Sequence, residues 1–146
     1  MRRILLVLTL LGGFSLSAAT AQMSIVVGKD SGHSATKVTA QSMFEGSRLT
    51  WPDGKNVLIV DQPNTKTATE FYKLIVGKSE KQVRKQWFKL VLSGQAQNPL
   101  KCRDDECVKR QVNVSKNAIG FIQTSRLDST VKELLRIEKP KSPSTE

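Results

Sequence analysis

Val57-Leu58-Ile59-Val60-Asp61-Gln62-Pro63-Asn64-Thr65-Lys66-Thr67-Ala68-Thr69-Glu70-Phe71 is the stretch from which the rest of the chain is read. Val57 to Val60 is a continuous aliphatic run, the pattern of a strand buried on both faces of a parallel sheet, and it stops near Asp61. Thr67 and Glu70 have the spacing of a capping box, with Phe71, Leu74 and Ile75 repeating at helical intervals until Gly77. The reading therefore places a strand before the loop, a helix after it, and Thr67 at the helix N-cap. Such a junction presents unpaired N–H groups and the positive end of a helix dipole at the sheet edge. Thr65, Lys66 and Thr67 surround that spot, and together they suit an anion.

Met1-Arg2-Arg3, the apolar run from Ile4 to Leu11 and the small-residue site Ala19-Thr20-Ala21 form the pattern of a cleaved secretory signal. We expect a signal peptide over 1–21, a periplasmic location and a soluble mature chain; removing 21 of the 146 residues leaves 125, enough for one domain. The formal charge of +10 falls to +8 when Arg2 and Arg3 leave. That balance favours acidic partners and is silent on fold.

Met23-Ser24-Ile25-Val26-Val27 reads as the first strand, running into Gly28-Lys29-Asp30-Ser31-Gly32-His33-Ser34, a second loop of glycine, hydroxyls and lysine. A helix over 38–45 burying Val38, Met43 and Phe44 is closed by Gly46, and Trp51-Pro52-Asp53-Gly54 turns the chain back to the Val57 strand. Strand, helix and strand in succession predict a βαβ unit with the first two strands parallel neighbours. Ser31 and Ser34 would then stand beside Thr65, Lys66 and Thr67 at one sheet edge.

Ser79 with Gln82 predicts a second capping box, and Val83, Trp87, Leu90 and Val91 predict the buried face of the helix that follows. Lys81, Arg84, Lys85 and Lys89 form its basic side. With no interleaved aromatic residues and no helix-turn-helix or RNA-binding signature, nucleic acid is not an expected partner. Cys102 and Cys107, the only two cysteines, are expected to pair in an oxidising compartment, with Asp104 or Asp105 capping a helix through Val108 and Val112. One histidine in the chain supplies neither a metal cluster nor a catalytic triad with an activated serine, so no enzyme and no cofactor is expected. His33 itself reads as a solvated loop residue. Ala118 to Ile122 is a further buried strand in which Gly120 permits close approach, and 131–137 is an edge strand or a short helix. The domain is expected over 22–137 with a disordered tail over 138–146.

The ordered set Met43-Phe44-Glu45-Gly46, Trp51-Pro52-Asp53-Gly54, Val60-Asp61, Gly77-Lys78-Ser79, Trp87, Ser93-Gly94 and Asn117-Ala118-Ile119-Gly120-Phe121 resembles the short periplasmic phosphate-binding-protein-like family. That family is related to the substrate-binding proteins of phosphate ABC transporters. Its pattern of Phe-Leu-Gly-Lys, then Trp-x-Asp/Gly, then Pro-Gly-Ala-Ile-Gly-Tyr is matched in order across about residues 23 to 137. The resemblance implies a single open, mainly parallel α/β lobe flanked by helices, of the type II periplasmic-binding-protein kind. Full-length members carry Arg-Ser-Asp-Gly-Ser-Gly-Thr at the strand-to-helix junction where this chain has Asp61 to Thr67, so the glycines and the arginine are absent here. Two functions are expected from different classes. The first is a solute-binding module for phosphate or a similar oxyanion at Ser31, Ser34, Thr65, Lys66 and Thr67, linked to phosphate uptake or sensing. The second is a ligand-free interaction or sensing subunit that docks to a membrane transporter or sensor through its basic face. A lone lobe cannot enclose a small anion from both sides, and a second copy of the chain or a partner would have to complete the cleft.

Overall fold

The computed structural model describes residues 22–139, so the expected signal peptide and nearly all of the expected tail lie outside the described residues. Five strands, β1 (Gln22–Gly28), β2 (Leu58–Asp61), β3 (Leu100–Lys101), β4 (Ala118–Gln123) and β5 (Val131–Glu138), form one open sheet in the order β3-β2-β4-β1-β5. Four helices, α1 (Lys37–Glu45), α2 (Lys66–Phe71), α3 (Glu80–Leu92) and α4 (Asp105–Val114), cover its two faces. A π turn, Tyr72–Val76, continues α2 to Gly77. The eight-residue β5 settles the 131–137 segment as an edge strand, and it includes Glu138.

Alternation along the strands sorts the core into two layers. Met23, Ile25 and Val27 of β1, Ile59 of β2, and Ile119 and Phe121 of β4 meet α1, α2 and α3 on one face. Phe71 stacks on Phe121 at 4.0 Å, and Phe44 and Tyr72 meet that pair edge-on. Val26, Val60 and Ile122 pack on the other face against Val108 and Val112 of α4. Gly120 lies beneath that helix: a Cβ there would stand 2.6 Å from Val108 Cγ1, so the expected close approach is present.

The local punctuation agrees with the sequence. Gly46 closes α1 in the left-handed region at φ 84°. Ser79 and Gln82 form their capping box, and Asp104 caps α4 by accepting from the Cys107 N–H at 2.8 Å. Cys102 and Cys107 are bonded, with Cα atoms 5.5 Å apart.

Three expectations require correction. Val38 is 71% exposed; Ala40 takes the buried position beside Met43 and Phe44. The α2 N-cap is Thr65, whose Oγ1 accepts from the Ala68 N–H at 3.1 Å, because Asn64 turns into the left-handed region and returns the chain extended one residue later. Thr67 lies inside the helix and is buried.

The third concerns topology. β1 does not neighbour β2; it lies between β4 and β5 and runs antiparallel to both, whereas β2 pairs parallel with β3 and β4. Four strands therefore point one way and β1 alone points the other. The loop after β1 consequently emerges at the amino end of β4, across the sheet from the loop after β2.

Candidate functional site

The carboxyl ends of β2 and β4 meet the N-termini of α2 and α4 in a shallow mouth of about 310 Å³. Thr65 and Thr67 line it from α2, Gln62 from the preceding loop, Gln123 and Arg126 from the end of β4, and Asp104, Asp105 and Glu106 from the start of α4. This is the position at which open parallel sheets collect ligands. Lys66 is exposed beside it, and the first-turn N–H groups of Lys66 and Thr67 have no intrahelical acceptor.

The base of the mouth is a hydrogen-bonded lattice. Gln62 is 1% exposed and donates from Nε2 to Asp105 Oδ1 at 2.7 Å and to the Phe121 carbonyl at 2.9 Å. Asp105 Oδ2 accepts from the Gln123 N–H at 3.1 Å, and Gln123 Nε2 donates to Thr67 Oγ1 at 3.2 Å. Thr65 Oγ1 donates to the Gln62 carbonyl at 2.8 Å. Gln62 and Gln123 carry no local signal of a site and Asp105 reads in the sequence only as a candidate helix cap, because only their tertiary meeting marks them.

Behind this lattice Asp61 is a buried carboxylate held by three groups. It accepts from Tyr72 Oη and the Gln62 N–H, both at 2.8 Å, and has Arg84 Nε at 3.7 Å. Burial raises the Tyr72 hydroxyl well above its ordinary pKa, and the Asp61 charge adds to that effect.

Ser31 and Ser34 are at the other end of the sheet. Ser31 Oγ accepts from the His33 N–H at 3.2 Å, and the Ser31 carbonyl accepts from Lys132 Nζ at 3.1 Å; Ser34 is exposed. The structure thus brings Thr65, Lys66 and Thr67 together and separates Ser31 and Ser34 from them, because β1 runs against its neighbours. His33 is not a solvated loop residue: its side chain is 13% exposed, stacks on Trp51 at 4.1 Å, and lies 2.8 Å from Asn117 Oδ1. It closes the seam between this loop and the Trp51 turn.

Among the described residues no group of three or more His, Cys, Asp or Glu is placed to hold a metal ion, and no helix is long and apolar enough to cross a membrane. A single mixed sheet between helical layers, with a polar mouth at the ends of its parallel strands, is an open α/β fold. Among solved structures the fold is similar to that of part of several phosphate ABC transporter substrate-binding proteins. A putative phosphate ABC transporter substrate-binding protein from Clostridium perfringens, solved with bound phosphate, matches with a TM-score of 0.61 and 18% identity over 78% of this chain and 45% of its own. An ABC-type phosphate transport receptor from Vibrio cholerae gives 0.61 and 20% over 78% and 46%, and PstS from Borrelia burgdorferi 0.58 and 9% over 79% and 47%. The chain spans about half the length of these neighbours. No family model and no curated protein matches the sequence.

Proposed function

We propose that the protein is a non-enzymatic, periplasmic solute-binding-type lobe that takes phosphate or a related oxyanion at the mouth formed by Thr65, Lys66 and Thr67, in the service of phosphate uptake or sensing. The observation that carries this reading is the meeting of the α2 N-terminus, the Thr67 hydroxyl and the Arg126 cation at the carboxyl ends of parallel strands, with Lys66 exposed on the first turn of α2. Substrate-binding proteins as structural neighbours agree with a binding role. The mouth is shallow, so a second body has to close it: another copy of the chain or a transporter component.

Asp105 favours a second reading. Its carboxylate already takes the Gln62 and Gln123 donors, and Asp104 and Glu106 add negative charge around it. A lobe with its mouth filled in this way suits a ligand-free subunit that docks to a membrane transporter or sensor through Lys81, Lys85 and Lys89.

Titration calorimetry of the purified protein with phosphate and with sulfate at low salt separates the two. The oxyanion reading expects saturable heat that weakens in Lys66→Ala and Thr67→Ala and persists in the triple Lys81, Lys85, Lys89 to Ala variant. No heat at millimolar phosphate, with the protein folded, removes the stand-alone oxyanion module and leaves the docking reading.

A further inference from the structure

On the outer side of β2, α3 and the chain entering β3 enclose a cleft of about 370 Å³. Ile59, Val83, Trp87, Phe88, Val91 and Pro99 form its apolar walls. Both its volume and its mainly apolar lining fall within the range of small-molecule sites. Phe88 remains 64% exposed, with Lys85 and Lys89 near it on the same helix. An aromatic ring left at the lip of an apolar cleft is a surface that gains from being covered.

The charged groups of the cleft are unevenly committed. Asp61 is its one carboxylate and is occupied by Tyr72, Gln62 and Arg84. Three cations, Arg84, Lys85 and Lys101, stand against it, a surplus of two positive charges. Arg84 uses Nη1 on Glu80 at 3.1 Å and holds Nε 3.7 Å from Asp61, with its side chain 35% exposed at the cleft. Lys85 and Lys101 are exposed and carry no ion pair among the described residues, so an anion arriving in the cleft would offset its positive surplus.

We infer that this cleft binds a small carboxylate that carries an aromatic or branched aliphatic group. The apolar body lies between Trp87 and Phe88, and the carboxylate meets Arg84 with Lys85 and Lys101 at the rim. A neutral apolar molecule would leave the positive surplus uncompensated, and an amine would add to it. An inorganic oxyanion would leave the apolar walls wet, which separates this site from the mouth at α2. The inference does not rest on phosphate binding there.

Nuclear magnetic resonance titration of the purified protein with phenylacetate tests it, with phenethylamine and 2-phenylethanol as the cationic and neutral controls. The Trp87 indole N–H, which donates to the Phe44 carbonyl at 2.8 Å, is a reporter beside the cleft. Phenylacetate is expected to shift that resonance and the amides of 83–91 saturably, while the amides of 65–68 stay in place. The double variant Lys85→Glu/Lys101→Glu reverses two exposed charges and should weaken the affinity roughly tenfold without loss of fold. Raised salt should weaken phenylacetate in the wild type. Two results overturn the inference: no saturable shift at millimolar phenylacetate, or an equal response to phenethylamine or 2-phenylethanol.

Discussion

Replacing Gly120 with alanine tests whether α4 is seated on β4 by close packing. The new Cβ would stand 2.6 Å from Val108 Cγ1, and 3.4 Å from both Val112 Cγ1 and Val60 Cβ. Only the first contact is intolerable; relieving it to the 3.4 Å of the others needs a movement of 3.4 minus 2.6, or 0.8 Å. Val108 cannot swing away cheaply, because a β-branched residue on a helix has one favoured rotamer and this one is fully buried. The helix must move instead, or the side chain must leave its rotamer, at a cost of about 1–3 kcal/mol. Urea unfolding of wild type, Gly120→Ala, Val108→Ala and the double variant gives the coupling directly. Val108→Ala alone should cost about 2 kcal/mol through lost burial and a cavity. In the double variant the added methyl enters space that the valine vacated, so the two costs should sum to at least about 1 kcal/mol more than the measured loss. Additive costs, or a Gly120→Ala protein as stable as wild type, would refute the seating argument.

Removing the disulfide by Cys102→Ala/Cys107→Ala should cost about 2 kcal/mol in urea unfolding, since a bridge across five positions closes only a short loop. Tyr72 is the only tyrosine in the chain, so phenolate absorbance reports it alone. Its folded pKa lies above that of the unfolded chain, which means stability is intact below pH about 10 and falls as pH rises past it. Absorbance should therefore rise together with loss of circular dichroism, and a phenolate signal in folded protein would contradict the burial argument. Lys109 Nζ donates to Asp128 Oδ2 at 2.7 Å and to the Arg126 carbonyl at 3.1 Å, with Glu106 Oε1 at 2.8 Å. The Lys109 contact, with help from Thr130, lowers the Asp128 pKa from 3.8 to about 2. A lowered carboxylate contributes stability above its unfolded pKa and loses it as pH falls toward about 2. The acid limb of the stability profile should flatten in Lys109→Met, measured by thermal melting between pH 2 and 5.

What was legible in the sequence was what local chemistry determines. Ser79 with Gln82, Asp104 ahead of Cys107, and Gly46 each satisfy backbone groups within a few residues, so their signals survive any tertiary arrangement. The two core layers follow from alternation in Met23 to Val27 and Ala118 to Ile122, which needs no knowledge of strand order. Strand order is where the reading failed. An aliphatic run such as Ile25-Val26-Val27 fits a parallel or an antiparallel neighbour equally well. Its partner, Gly120 to Gln123, lies nearly a hundred residues away. That one reversal moved Ser31 and Ser34 off the mouth. Thr65 and Thr67 compete for the same cap, and Asn64 at φ 62° decides between them in a way that a spacing rule cannot register. His33 was misread for a related reason: its stacking partner, Trp51, is brought to it by the fold.

Asp105 is the residue on which the two readings of the mouth diverge, and replacing it with asparagine tests them together. The carboxylate accepts from Gln62 Nε2 and from the Gln123 N–H at the base of the mouth, and its charge repels an incoming oxyanion. Asparagine keeps one acceptor and loses the charge, costing about 1 kcal/mol of stability for the forfeited hydrogen bond. Removing a negative charge some ~5 Å from a bound anion is worth about 1–3 kcal/mol at effective dielectric constants between water and a protein surface. Phosphate affinity should therefore rise by roughly tenfold or more if the mouth is an oxyanion site that Asp105 restrains. Calorimetry of Asp105→Asn at low salt would measure this, with a Lys66→Ala/Asp105→Asn variant expected to lose the gain. If folded Asp105→Asn takes up no phosphate at millimolar concentration, repulsion by Asp105 was not what kept the anion out. The helix N-terminus and two threonines would then be insufficient without the missing glycines and arginine, and the basic α3 face would become the working surface of the lobe.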